Sequence, residues 1–462
     1  MMLGIAACNT GNPGSTDTTG GADTSGTSSS DTAEPTPDLP DVKYDGYKFR
    51  IVGGNNVIRE DQTGGIVDTA IWRANQSVMA LFDIEFEVIE ADWMDQQFLE
   101  TLILSGDNEL DQAIMQDCLT GTMGLSGYFA DVNAMPNVDT TKPWWPQRIV
   151  ESLTLNGKMY GFSNYTNFSS MAGTEATFFN IDLLKNRDIE LPYDYVKNNE
   201  WTVEKLTEIV RSIYSDENGN SERDTEDIFG FVVGFSTYRW LESFGVEVYK
   251  KTDAMNSSEL TLDVDSDRVV RLVDKLHNLF YAGHDGVWRM RDDVAVAHSM
   301  FANGQVAFTF APVGVLAPKI AETTMDFGIC PIPKADETQA HYYDGLNAGL
   351  CSIPYNAPDL ARTGAIIEAM AYEGYKRILP AYATTMLKIR YTTNEESKEM
   401  LDLVFANQVL SFSYLFVNVV PNGMQWTLLA STMESNDVPS FYAANVEREL
   451  LTMKRISDFY GK

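Results

Sequence analysis

Basic residues, cysteine, histidine and long apolar runs are all scarce in this chain of 462 residues. Lys and Arg total 34 against 66 Asp and Glu, a formal net charge of −32. A surface of that sign repels phosphate backbones and anionic lipid headgroups, so no nucleic-acid partner is expected. No run of eighteen apolar residues occurs, which argues against a helix spanning a bilayer. The four cysteines, at positions 8, 118, 330 and 351, form no CxxC pair, so neither a zinc site nor a thioredoxin-like motif is indicated. Setting Cys8 aside leaves Cys118, Cys330 and Cys351. At most one disulfide is open to them, and three small buried apolar side chains is the favoured reading. The four histidines, at 277, 284, 298 and 341, make no HExxH pair, and there is no GxSxG elbow. Two hydrolase signatures are therefore missing.

What is present suits a folded protein larger than one core can serve. Apolar residues make up 44%, and the length points to two lobes. Tyr47–Val52 reads as a strand stopped by Gly53-Gly54-Asn55-Asn56. Val67–Leu81 has helical character, Ile84–Ile89 alternates, Asp95–Ser105 is helical, and Leu110–Met115 is a short strand. Such alternation predicts an α/β fold with a parallel sheet. Later come a strand around Phe178 and Phe179, a helix over Thr202–Tyr214, strands over Phe229–Gly234 and Val306–Phe310, and helices over Asp265–Tyr281, Thr393–Asn407 and Val438–Phe459.

The N-terminal stretch has a different character. Residues 9–42 hold six acids, no bases and almost no large apolar side chains, a composition that cannot bury enough surface to order itself. Residues 9–43 therefore read as a disordered linker. Before it, Met1–Ala7 is short and apolar and ends in Ile5-Ala6-Ala7-Cys8. This resembles a bacterial lipoprotein signal, with residues 1–8 as its remnant. The resemblance implies a lipidated Cys8 that holds the chain at the extracytoplasmic face of the membrane, where two acyl chains anchor stably. No Lys or Arg precedes Lys43, so the basic part of such a signal is expected further upstream. A cytosolic terminus with an unmodified cysteine is the competing reading.

Several phrases occur together: KPWWPQRIVESLTLNGKMYGF (Lys142–Phe162), TFFNIDLLKN (Thr177–Asn186), WTVEKLTEIV, MFANGQVAF (Met300–Phe308) and DFGICPIPKADETQ (Asp326–Gln339). In this order they resemble the carbohydrate-type extracellular solute-binding proteins of bacterial ABC transporters, from Tyr44 to the C-terminus. The resemblance implies a two-lobed periplasmic-binding-protein-like fold (type II) with the ligand cleft between the lobes. Lobe one would span 44–164 plus 346–380, and lobe two 165–345 plus 381–462. Chain crossings are expected near Ser163–Tyr165 and Asp344–Ala348. One departure is visible: where the family often has Trp after NGQVAF, this chain reads Ala311-Pro312-Val313-Gly314, so a sugar-stacking platform is missing there.

Asp216-Glu217-Asn218-Gly219-Asn220-Ser221-Glu222-Arg223-Asp224-Thr225-Glu226-Asp227 has the spacing of a calcium loop. Asp216, Asn218, Asn220, Asp224 and Asp227 offer side-chain oxygens and Glu222 its carbonyl, the stagger a hard cation needs. Gly219 sits at loop position 4 rather than 6, and the last ligand is Asp rather than Glu. Some polysaccharide-binding members of the family resemble this and hold Ca²⁺. A structural Ca²⁺ remote from the ligand is expected, against a metal-free, turn-forming loop.

Ligands gather at the carboxyl ends of strands in open α/β sheets. That rule selects Asn55 and Asn56 after the first strand, Gln116 and Asp117 after the third, and Asn164, Tyr165 and Asp344 at the crossings. Tyr238 with Trp240, Trp288, and Trp426 are candidate stacking platforms, and Arg239 is a candidate partner for a carboxylate. For each aromatic, plain core packing is an equal alternative, and for the asparagines and acids simple turn chemistry is. The leading expectation is a non-enzymatic, monomeric receptor that captures a sugar or oligosaccharide and passes it to the transmembrane subunits of an ABC permease. A secreted glycoside hydrolase or lyase, and a surface glycan sensor or adhesin, are the alternatives.

Overall fold

Phe49, Ile51 and Val52 are apolar and buried, so Tyr47–Val52 is drawn into a sheet rather than left on the surface. The computed structural model describes residues 35–62, 64–106, 110–234, 239–290, 293–320, 322–347, 349–385 and 395–462. Within them the strands are β1 Tyr47–Val52, β2 Ile84–Ile89, β3 Gln112–Gln116, β4 Glu175–Asn180, β5 Tyr214–Ser215, β6 Ile228–Val233 and β7 Tyr249–Lys251. They continue with β8 Leu260–Leu262, β9 Val287–Arg289, β10 Val306–Pro312, β11 Phe327–Cys330, β12 Asp344–Gly345, β13 Gly349–Ser352 and β14 Gln408–Val409.

Two main sheets organise Pro37–Lys462, which forms one unit. The first has the order β13-β3-β1-β2. Its strands β1, β2 and β3 run parallel, with Tyr47 opposite Ile84 and Ile51 opposite Gln112, as the alternation predicts. Strand β13 returns antiparallel to β3, Gly349 opposite Gln116. The second sheet has the order β11-β4-β10-β6-β5, with β9 also beside β6. The chain passes from one to the other through 163–174 and returns through 344–347. Phe162 and Cys351 exchange backbone hydrogen bonds of 2.8 Å each way, and Thr174 bridges Leu346, so these two passages run side by side.

The turn after β1 depends on Gly53. Its φ is +70°, and a Cβ there would meet the Ile114 carbonyl oxygen at 2.6 Å, so only glycine brings this loop against β3. The helices Ile66–Phe82, Gln96–Leu104, Asp267–Tyr281 and Val438–Tyr460 lie where the periodicity places them. The helix expected over Thr202–Tyr214 is shorter. Thr202 caps it through a bond from Lys205 N, and it spans Val203–Val210. Tyr214–Ser215 instead pairs with β6, Tyr214 opposite Phe229, so sheet pairing overrides the helical period. The acidic loop over 216–227 therefore follows a strand, not the helix expected up to Tyr214.

Cys118, Cys330 and Cys351 are buried free thiols, and burial pushes the Cys351 thiol up to about 12. Trp144 and Trp145 are fully buried. Their indole nitrogens donate to the two oxygens of Glu368 at 2.7 and 2.9 Å, which stitches this loop to helix Leu360–Glu373. No helix among the described residues is long and apolar enough to cross a membrane.

Candidate ligand cleft

A cavity of about 490 Å³ opens where the strand-end rule points. The first sheet contributes Gly53 and Asn56 after β1, Ile114 of β3 and Gly349 of β13; Trp93 comes from the loop after β2. Helix Phe168–Ala172 contributes Ser169 and Ala172, followed by Gly173. The second sheet contributes Pro312 at the end of β10, then Gly314 and Val315 in helix Val313–Ile320. Asn347 comes from the return passage. The volume lies in the usual range for small-molecule sites, about 300–1,000 Å³. A larger hollow of about 910 Å³ is lined by Arg148, Glu151, Lys250, Lys251 and others. None of its residues lies at a carboxyl end of the two main sheets, so topology favours the smaller cavity.

Three side chains give the cavity its chemistry. Trp93 is 46% exposed, an unusual state for an indole, and its carbonyl accepts from Gln116 N at 3.1 Å. That bond ties the loop after β2 to the end of β3 and fixes the ring's base. Asn347 Oδ1 is buried with no hydrogen-bond partner among the described residues, an acceptor in want of a donor. Asn56 is exposed at the end of the short helix Gly54–Asn56. Around them the wall is tightly built. A Cβ on Gly314 would lie 2.5 Å from the Ala172 Cβ, so helix Val313–Ile320 sits flush against helix Phe168–Ala172. Asn167 caps the latter and donates to the Gly349 carbonyl at 3.0 Å.

The residues expected from sequence fall into distinct environments. Asn56 lines the cavity, and Asn55 is exposed beside it. Gln116 is half-buried at the end of β3. Asp117 is buried and paired with Arg239, Nη1 to Oδ2 at 3.0 Å, both side chains 2% exposed. Arg239 also donates to the Leu346 carbonyl at 3.1 Å and lies 4.2 Å over the Tyr414 ring. Its charge is thus met inside the protein, and the expected role of holding a ligand carboxylate is corrected by this pairing. Trp240 is corrected likewise: it is 3% exposed, stacks on Phe280 at 5.8 Å and meets Phe310 edge-on at 5.5 Å. It is a core residue of the second sheet in this conformation. Trp288 is half-buried against Phe229.

Asn164 is buried and accepts from Thr166 N at 3.0 Å, a turn-forming bond. Tyr165 packs on Tyr375, and burial pushes its hydroxyl up to about 12. Asp344 is fully buried and accepts from Ile332 N at 2.9 Å. Burial holds its carboxyl well above the usual range. Glu175 near it is pushed up to about 7 by burial, with Arg239 pulling the other way. These acids belong to the packing between the sheets, not to the cavity wall. Trp426 is 37% exposed on helix Met424–Ser435 and does not line the cavity. Tyr238 and Cys8 lie outside the described residues.

In the acidic loop, Asn218 and Asn220 both donate to Asp224 Oδ2, at 3.0 and 2.7 Å. Asp216 accepts from Gly219 N and Ser221 N, and Glu222 N donates to Asn220 Oδ1. Side-chain ends of two of the expected ligands therefore meet at a third, Asp224. Asp227 does not join them. It is fully buried and accepts from Tyr214 Oη, Glu217 N and Asp224 N. No group of three or more His, Cys, Asp or Glu side chains able to hold a metal occurs among the described residues.

Sequence reasoning missed Trp93, Val315 and Asn347. The signal for Trp93 was the same strand-end rule, applied to the second strand as well as the first and third.

The fold is that of known two-lobed binding proteins. The chain is similar to a cyclo/maltodextrin-binding protein solved with maltotetraose, at 15% identity and TM-score 0.56, over 93% of this chain and 98% of that one. It is similar to the GacH receptor of Streptomyces glaucescens, at 13% identity and TM-score 0.54, over 88% and 98%. It is also similar to the galacto-N-biose-/lacto-N-biose I-binding protein of an ABC transporter from Bifidobacterium longum, at 11% identity and TM-score 0.55, over 89% and 98%. A comparison with curated protein sequences finds no match. Residues 76–373, well over half of the chain, match the bacterial extracellular solute-binding proteins, and the chain belongs to that family.

Proposed function

We propose that this protein is an extracytoplasmic receptor that captures a sugar or oligosaccharide and delivers it to an ABC importer by closing its lobes. The observation that carries the reading is the exposed indole of Trp93 in one cavity with the buried Asn347 Oδ1, which has no partner among the described residues. A pyranose offers one face of C–H groups to a flat ring and hydroxyls to polar atoms. Stacking about 100 Å² of that face contributes roughly 2.5 kcal/mol, and a hydroxyl bonded to Asn347 removes an unmet acceptor worth roughly 1–3 kcal/mol. Contacts made to both sheets favour the closed state by differential affinity. In this reading the protein does no covalent chemistry on its cargo. Thermal shift against a glycan panel tests the proposal, since a bound ligand raises the melting point by mass action. A panel of mono- and oligosaccharides giving no shift, while peptides or amines do, would refute it.

Three further parts belong to the same proposal. The lobes are taken as 44–164 plus 346–380 and 165–345 plus 381–462. Lipid on Cys8 tethers a monomer to the membrane through the linker; mass spectrometry of the mature protein tests this, and an unmodified Cys8 would defeat it. A structural Ca²⁺ is held by Asp216, Asn218, Asn220, Asp224 and the Glu222 carbonyl, replacing the amide bonds that now converge on Asp224. Asp227 supports the loop from beneath. Calorimetric titration of chelator-treated protein reads this directly, and no heat at millimolar calcium rejects it.

A further inference from the structure

Among the described residues, the charge-rich surface of this protein stops at the cavity. Of the whole chain 22% of residues are charged, yet every described residue lining the cavity is uncharged. Two cations that bond to neighbours of lining residues are already matched. Arg59 pairs with Asp68 at 2.7 Å and donates to the Asn55 carbonyl, behind Asn56. Arg239 pairs with Asp117 and the Leu346 carbonyl, behind Asn347. No described carboxylate faces the cavity to receive a cation either.

We propose that the cleft takes an uncharged glycan and rejects uronates, sugar phosphates and amino-sugar cations by withholding any counter-charge. The inference rests on the carbohydrate reading above and adds the substrate class. An ionised group enclosed in this cavity loses its water and meets no opposite charge among the described residues, a penalty that hydrogen bonds to Asn56 and Asn347 do not offset. An anion faces in addition the field of a chain carrying −32. A neutral sugar pays neither penalty. Its hydroxyls find the two asparagines, and its apolar face finds Trp93 on one side and Val315, 47% exposed, on the other. Val315 directly follows Ala311-Pro312-Val313-Gly314, a stretch that holds no tryptophan.

The test is calorimetry on the full chain with size-matched neutral and acidic oligosaccharides. Binding is expected only among the neutral set, with the uronate analogue of the best binder about 100-fold weaker or more. Affinity for the neutral ligand should be nearly flat between low and high salt. An acidic glycan that binds as tightly as its neutral analogue overturns the charge inference while leaving the carbohydrate reading intact. An uncharged non-carbohydrate as sole binder overturns the carbohydrate reading while leaving the charge inference intact. Val315→Lys places a cation at the mouth on an exposed position and should narrow the neutral-over-acidic preference by about tenfold. Unaltered preference in that variant would place the ligand elsewhere and overturn the inference.

Discussion

Replacing Asp117 by Asn keeps the shape of the side chain and removes its charge. Asp117 begins the helix that follows β3 of the first sheet. Arg239 precedes the short helix Trp240–Ser243, whose tryptophan is packed beneath the second sheet. Their ion pair therefore crosses from one sheet to the other with both side chains 2% exposed. The substitution takes the carboxylate from a guanidinium that has already given up its water, although the Leu346 carbonyl and the Tyr414 face remain. Removing one member of a buried pair costs about 3–5 kcal/mol. Among the described residues, Arg239→Met leaves Asp117 accepting only a neutral bond, from Cys118 N at 2.9 Å, in place of its ion pair, and should cost a similar amount. The double variant should regain most of the loss, because replacing both partners by neutral groups is often near neutral. Urea unfolding of the four proteins, with equal m-values, reads the coupling as a double-mutant cycle. If Asp117→Asn shifts stability by less than about 1 kcal/mol and the two changes add, the pair does not bind the sheets together and the reasoning fails.

Trp93→Ala should lower glycan affinity by roughly 70-fold, from about 2.5 kcal/mol of lost stacking, with little change in melting temperature because the ring is 46% exposed; calorimetry and thermal melts measured together check both halves. Trp240→Ala should cost about 3–5 kcal/mol of stability as a core truncation, and a variant as stable as the parent would contradict its placement. Glu175, with its carboxyl raised from 4.5 to about 7, holds a proton in the folded state that the unfolded chain has released. Its contribution is complete below pH 4.5 and fades as pH rises through about 7. Glu175→Gln should therefore melt with a flatter pH dependence and gain on the parent toward pH 8 or so; parallel melting curves across that range would exclude the proton.

Elements governed by local periodicity were legible in the chain. Strands β1 and β2 begin and end where alternation and Gly53 place them, and the closing helix Val438–Tyr460 follows its pattern. The acidic loop's entry was not, because Tyr214 carries the helical period yet is claimed by Phe229 of a neighbouring strand. The cleft was legible in location more than in membership. Strand ends mark the place, and Asn56 is there. Whether a tryptophan is packed or presented depends on partners far along the chain. Trp240 is covered by Phe280 and Phe310, whereas Trp93 meets solvent, and nothing within a few residues of either reveals the difference. Arg239 shows the same limit, since its counter-ion is Asp117, 122 positions away.

The tryptophans also divide the protein optically. Trp144, Trp145, Trp201 and Trp240 are sealed in the interior and should emit at short wavelength regardless of cargo. Trp93 and Trp426 meet water, at 46% and 37% exposure, and only the first borders the cavity. Excited at the red edge of the indole band, the protein should report occupancy through Trp93 without any attached dye, and the Trp93→Ala variant supplies the blank.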